Sequence, residues 1–363
     1  MLRRRGALTL TAPRSHKSAS IRLNHRTLEN IVDISLKLPE VQRARVEAAL
    51  VRFDGAPGSL APVPGGATGA LALRFTTPGG ERLLRLSDPA VDRMRNPDQH
   101  ACIVAAAKAG IAPALYACEP ETGVLVMDFV AQRPLSDHPG GARAVARELG
   151  RLFRTLQAEA SFSNAVNFGE RLAGLMELVL GKQHFAEGLM APFVAGLQRL
   201  RAAYPWSASA PVAAHCDPNP RNLLYDGNRF WLVDWETACA TDPMVDLAIL
   251  THETVRDPNA EGAMLEGWLG RPAGQDERDR LALMKPMTRL FYGLLMLMVT
   301  PPPETPSGDL AALDPADFGA RVADGRLPMG SPAMMTELAK ITLAGFLADM
   351  ESPQVQAILG RAS

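Results

Sequence analysis

Two short apolar runs, Asn222-Leu223-Leu224-Tyr225 and Phe230-Trp231-Leu232-Val233, flank the turn signal Asp226-Gly227-Asn228. Strand-forming runs of this length, joined by so few polar residues, predict a tight antiparallel hairpin. The hairpin constrains its surroundings, because Asn222 enters one strand where Asp234 leaves the other. Two oxygen-bearing side chains twelve residues apart in sequence thereby become neighbours. Immediately before them stands His215-Cys216-Asp217-Pro218-Asn219-Pro220-Arg221, and after them come Trp235-Glu236 and Asp242-Pro243-Met244-Val245-Asp246.

Residue types in this order suit the movement of a phosphoryl group to an alcohol. That chemistry needs an acceptor for the hydroxyl proton, cations that bridge the phosphates and donors that hold the triphosphate tail. Asp217 is the candidate base, whose earlier task is to aim the hydroxyl along the in-line path. The Asn222 carbonyl and the Asp234 carboxylate are hard oxygen ligands of the kind Mg²⁺ prefers. His215 joins Asp217 in the catalytic set, holding the loop by hydrogen bonds. Taken singly, these residues would equally serve as a core histidine, a turn Asp and an Asx-type Asn. Their joint spacing around one hairpin favours the chemical reading.

The 363 residues are 47% hydrophobic and 21% charged, enough for a sizeable core spread over two lobes. A formal net charge of −1 provides no global field for nucleic acid or an anionic membrane, so no such partner is expected. The four cysteines form no CxxC pair, which argues against a zinc site and a disulfide framework and fits a reducing cytoplasm. Residues 1–28 are basic, with no acid before Glu29, and read as a solvated leader or a transit segment. The apolar stretch Leu290 to Val299 is about half the length of a membrane-spanning helix and reads as a buried one.

Val46, Leu50 and Phe53 fall at helical spacing within Pro39 to Phe53. After the glycine-bearing turn Pro64 to Gly69, Leu71, Leu73 and Phe75 alternate, Pro78-Gly79-Gly80 turns the chain, and Leu84 and Leu86 return. Cys102 to Ala109 is an alanine-rich helix stopped by Gly110, and Val124 to Met127 is a short strand. Beyond Pro134 helical patterns dominate, beginning with Leu149, Leu152, Phe153 and Leu156, and the hairpin is their one strand-rich interruption. The expected architecture is α+β and bilobal: an antiparallel-sheet lobe with a helix over 29–130 and a mainly helical lobe over 131–363.

The run His215 to Leu247 resembles the HxDxxxxN…D(W/F/Y)E…DPxxDLA signature of the aminoglycoside phosphotransferase and choline/ethanolamine kinase superfamily, a branch of the protein-kinase-like fold. Gly65-Gly66-Ala67-Thr68-Gly69 is similar to the glycine loop of its choline-kinase branch, Leu83-Leu84-Arg85 to its LLR strand and Ala109 to Pro113 to its GIAP turn. The resemblance covers most of residues 60 to 250. It implies an ATP- and Mg²⁺-dependent phosphotransferase with Asp217 as catalytic Asp, Asn222 and Asp234 as metal ligands, and Asp246 bracing the loop. It implies further that Gly65, Gly66 and Thr68 meet phosphate, that Arg85 is the cation for the α/β-phosphates, and that the backbone of Met127, Asp128, Phe129 and Val130 holds adenine. One departure stands out: Gln99 occupies the place of the family's helix Glu, with Asp98 beside it as a substitute in a shifted register.

A small hydroxyl-bearing acceptor is expected, with an amino alcohol favoured and an aminoglycoside, sugar or thiamine as alternatives. A quaternary ammonium asks for aromatic walls and a carboxylate. Trp235, Trp268 and Tyr292 are candidate walls, with core packing beside the metal loop the favoured role of Trp235, and Glu236, Glu253 and Asp242 are candidate acids, although Thr237 after Glu236 speaks against choline itself. A nucleotide-binding protein with little or no turnover is the competing hypothesis, motivated by Gln99 and by the loose match of the glycine loop.

Overall fold

The computed structural model describes residues 38–56, 58–63 and 70–362. The basic leader and the glycine turn with Gly65, Gly66 and Thr68 lie outside the described residues. The chain divides at Ala131/Gln132 into two compact units.

In the first unit, helix α1 (Glu40–Arg52) precedes strands β1 (Ala61–Pro62), β2 (Leu71–Thr77) and β3 (Gly80–Leu86). Helices α2 (Pro89–Arg95) and α3 (Gln99–Lys108) follow, then strands β4 (Leu115–Glu119) and β5 (Val124–Asp128). The five strands form one antiparallel sheet in the order β1-β2-β3-β5-β4. Alternation decides the faces. Leu73 lies opposite Leu84, and Leu84 opposite Val126, so these fully buried side chains share one face with Phe75 and pack with Val46 and Leu50 of α1. Ala72, Arg85 and Leu125 are cross-strand partners on the other face. The β2–β3 turn is fastened by Thr77, whose hydroxyl donates to the Gly80 carbonyl at 2.9 Å, while Gly80 takes a φ of 113° that favours glycine.

In the second unit, α4 (Gly141–Glu159), α5 (Phe168–Lys182) and α6 (Ala191–Ala203) lead to four three-residue strands: β6 (Val212–Ala214), β7 (Leu223–Tyr225), β8 (Phe230–Leu232) and β9 (Cys239–Thr241). The remaining helices are α7 (Met244–Glu253), α8 (Pro258–Leu269), α9 (Gln275–Val299), α10 (Pro315–Ala323), α11 (Pro332–Glu351) and α12 (Pro353–Ala362). Leu149, Leu152, Phe153 and Leu156 bury the inner stripe of α4. Helix α8 approaches α4 through paired glycines: a Cβ on Gly150 would strike the Met264 carbonyl, and one on Gly267 the Arg147 carbonyl.

One expectation needs correction here, and the buried helix expected over Leu290 to Val299 extends beyond that stretch. The strand-rich interruption is two sheets, since β6 pairs with β9 as well as β7 with β8. The apolar stretch Leu290 to Val299 is the end of a 25-residue helix, long and apolar enough by length and composition to cross a membrane. Of its apolar window, 61% is buried within the protein, where α9 packs against α5, α6, α7, α11 and α12.

Candidate active site

The loop 215–222 joins β6 to β7 and is suspended from one buried carboxylate. Asp246, in the first turn of α7 and fully buried, accepts from the His215 N–H at 2.8 Å and the Cys216 N–H at 2.7 Å, one on each oxygen. Burial pushes this carboxyl up to about 7. Cys216 takes a φ of 62°, a left-handed conformation costly for a residue with a Cβ, and the Asp246 bond at its N–H opposes that strain. His215, also fully buried, accepts from the Asp217 N–H at its Nδ1 (3.3 Å), so its Nε2 carries the hydrogen and donates to the Val233 carbonyl at 2.9 Å. Burial lowers the imidazole's proton affinity, which suits this neutral tautomer. His215 therefore ties the loop to the hairpin and presents no edge to solvent.

The hairpin does what its turn chemistry requires. Asp226 Oδ1 accepts from the N–H groups of Asn228 and Arg229, Gly227 takes a φ of 101°, and Leu223, Leu224 and Tyr225 pair with Leu232, Trp231 and Phe230. The Val233 N–H donates to the Asn222 carbonyl at 3.0 Å, extending the ladder by one rung, so Asp234 follows directly on the residue facing Asn222. Asp234 then turns left-handed (φ 65°), which redirects its side chain from the strand's alternation. Asn222 Nδ2 donates to both the Asp217 carbonyl and Asp217 Oδ2, each at 3.0 Å. That aims the Asn222 amide nitrogen at Asp217 and its Oδ1 away from it.

The donor set fits a magnesium ion shared with phosphate. Among the described residues no group of three His, Cys, Asp or Glu side chains could cage a metal. One amide oxygen and one carboxylate, completed by phosphate and water oxygens, match the hard, incomplete protein shell Mg²⁺ takes in phosphoryl-transfer sites.

In the first unit, Asp128 donates its N–H to the Ala114 carbonyl (2.9 Å) and Phe129 donates its N–H to the Glu81 carbonyl (3.1 Å). The Asp128 carboxylate accepts from Arg82 Nη1 at 2.8 Å and the Tyr116 hydroxyl at 3.0 Å, and the Arg82 guanidinium lies 4.1 Å from the Tyr116 ring centre. The strand end is thus braced, and within the expected adenine-facing backbone Met127 to Val130 the N–H groups of Asp128 and Phe129 are engaged by the protein itself. Arg85 sits near His100, whose proton affinity is lowered first by burial and, among smaller influences, by the Arg85 charge. Gln99 opens α3 and is buried, with its Nε2 making no hydrogen bond among the described residues. Asp98 stands immediately before the helix, at its N-cap.

The family model described as the phosphotransferase enzyme family matches residues 59–283. The chain belongs to that family. Solved structures with the same fold include a choline/ethanolamine kinase family protein from Mesorhizobium loti (22% identity, 87% of this chain and 98% of that one, TM-score 0.60) and a choline kinase from Cryptosporidium parvum (15%, 87% and 98%, 0.61). A spectinomycin phosphotransferase solved with ADP and spectinomycin is also similar (12%, 88% and 98%, 0.51). The α+β architecture is accordingly the protein-kinase-like one, and the protein is a small-molecule phosphotransferase.

Three acceptor-side candidates of this phosphotransferase are engaged by neighbouring residues. Trp235 is 2% exposed, its ring 4.7 Å from that of His215 and edge-on to Phe162, so it supports the loop from beneath and walls no open cavity. Trp268 donates its Nε1–H to Gln157 on α4. Asp242 is buried and held by Arg280 and the Tyr204 hydroxyl, which leaves no charge for an ammonium. Glu236 is half-buried. Tyr292 of α9, by contrast, donates its hydroxyl to Asp217 Oδ1 at 2.6 Å. Sequence reasoning placed Tyr292 as a wall and missed this bond, which spans 75 positions of chain with no local signal.

Proposed function

We propose that the protein transfers the γ-phosphoryl group of ATP, as its magnesium complex, to a hydroxyl of a small molecule, with an amino alcohol as the favoured acceptor. The observation that carries this reading is the Asp217–Asn222 pair: one side chain is a carboxylate fit to orient an alcohol, and the other is fastened to it with its oxygen turned away. Asp217 aligns the acceptor hydroxyl and receives its proton late in a loose transition state. Asn222 and Asp234 would hold Mg²⁺, which when bound neutralises charge on the phosphate oxygens. In the first unit, Arg85 is the candidate phosphate cation, and the backbone of Met127 to Val130 is the candidate adenine hinge, with Val130 following the paired strand residues. An amino alcohol is favoured by the choline and ethanolamine kinases among the similar structures and by the Glu253 carboxylate, whose charge is felt at Tyr292 beside Asp217.

A second reading, nucleotide binding with little turnover, draws on Gln99. Its buried amide replaces a carboxylate and cannot neutralise a strand cation. Release of ADP from Mg·ATP, measured across amino alcohols, thiamine, sugars and aminoglycosides, separates the two. Saturable release with one acceptor, abolished in Asp217→Asn, supports the kinase reading; tight ATP binding with no release for any acceptor supports the second.

A further inference from the structure

A carboxylate offers about four lone-pair directions. On Asp217 Oδ1 two are taken, by the Tyr292 hydroxyl at 2.6 Å and by Asn219 Nδ2 at 3.0 Å. On Oδ2 one is taken, by Asn222 Nδ2 at 3.0 Å. We propose that Tyr292 is a positioning residue: with the Asn219 amide it ties down Oδ1 and leaves Oδ2 as the oxygen that receives the acceptor's proton. This rests on the reading of Asp217 as the base.

The step balances on that oxygen. The acceptor O–H breaks and its proton goes to Oδ2, the alcohol oxygen forms the new bond to the γ-phosphorus, and the bond to the β-phosphate oxygen breaks with its electrons leaving on ADP. Free rotation of the carboxylate would exchange its oxygens and turn the accepting lone pair off the in-line path. Donors on both oxygens oppose that rotation, and a misplacement of about 1 Å can cost on the order of 10²-fold in rate.

Tyr292 is built for a fixed donor. Burial, and then the Asp217 charge, push its phenol well above the usual 10, so it stays protonated and keeps donating. Its helix cannot easily shift. Phe291 packs against Phe168 at 5.4 Å between ring centres, and at Gly293 even a Cβ would stand 3.0 Å from Leu343 of α11. A tyrosine that merely sheltered its hydroxyl would need only one acceptor anywhere in reach; here the acceptor is the catalytic carboxylate, and the oxygen chosen is the one Asn219 also holds.

The test uses the full chain and ADP release from Mg·ATP with choline, ethanolamine, thiamine, glucose, kanamycin or water as acceptor. Wild type and Asp217→Asn come first: no release by wild type with any acceptor overturns the phosphotransfer reading and this proposal with it. With activity in hand, Tyr292→Phe keeps the ring and removes only the donor. A kcat about tenfold lower, with KM for ATP within about twofold and an unchanged folded fraction, is the expected result, since one hydrogen bond to a charged group is worth about a factor of ten. Because the two donors act on one oxygen, Tyr292→Phe with Asn219→Ala loses less than the product of the single losses. Wild-type kcat in Tyr292→Phe, or a loss that only follows the folded fraction, overturns the proposal and leaves the kinase reading standing. Should Tyr292→Phe fail to fold, Asn219→Ala decides alone: a comparable kcat loss supports the proposal and an unchanged kcat overturns it.

Discussion

In the loop 215–222 side chains hold backbone, whereas at the end of β5 the backbone and side chains hold one another. Asp246 and His215 direct their polar atoms to main-chain groups of the loop and the hairpin, and the side chains of Asp217 and Asn222 meet as a result. At β5 the Asp128 carboxylate is engaged by Arg82 and Tyr116, and the N–H groups of Asp128 and Phe129 by neighbouring carbonyls. The first arrangement presents side chains for chemistry. The second stiffens a strand end.

Four measurements would break or sharpen this contrast. The largest effect is expected for Asp217→Asn, which keeps the shape and removes the proposed base: ADP release should fall about 10³-fold with stability near wild type. Retained activity would mean that the loop presents some other group.

The next concerns how the loop is held. The Asp246 carboxyl lies at about 7 in the folded protein, against roughly 4 in the unfolded chain. A raised value means that the unfolded chain ionises more readily, so stability is fullest below pH 4 and is lost as pH rises through 7. Between pH 5 and 8 the loss from this group should be about 2–3 kcal/mol, measurable by urea titration. Asp246→Asn should flatten that dependence while being less stable at pH 5, because an amide offers only one oxygen to two N–H groups.

In the first unit, Gln99→Glu supplies the carboxylate that the family pattern contains and removes a buried amide nitrogen that has no hydrogen bond among the described residues. The KM for ATP should fall about threefold, in keeping with a partly screened ion pair. No change would mean that Arg85 does not limit nucleotide binding. The smallest effect belongs to Asp128→Asn, where the carboxylate is half-exposed and acts as a brace: KM for ATP should move by less than about twofold, with under about 1 kcal/mol of stability lost.

The hairpin was legible because everything that makes it is local: two apolar runs, a turn Asp that caps its own loop, and a glycine at positive φ. The β2–β3 hairpin and α4 were legible through periods of two and 3.6. Strands β6 and β9 left no comparable trace. Each is three residues long, β9 is buried throughout and lacks alternation, and each finds its partner across the intervening loop and hairpin. Strand β4 escaped notice because a register shift between Leu115 and Ala117 breaks its pattern. The burial of Trp235 has no local signal, because an aromatic beside an acidic residue looks the same in sequence whether it faces a cavity or the core.

What the sequence determined by itself was the hairpin that Asn222 enters and Asp234 leaves, since its turn chemistry is written between them. Only the tertiary structure decided what surrounds Asp217. The Tyr292 hydroxyl arrives on a helix far along the chain, and Trp235, Trp268 and Asp242 are drawn into packing, because such partnerships depend on which faces meet when helices close over a core.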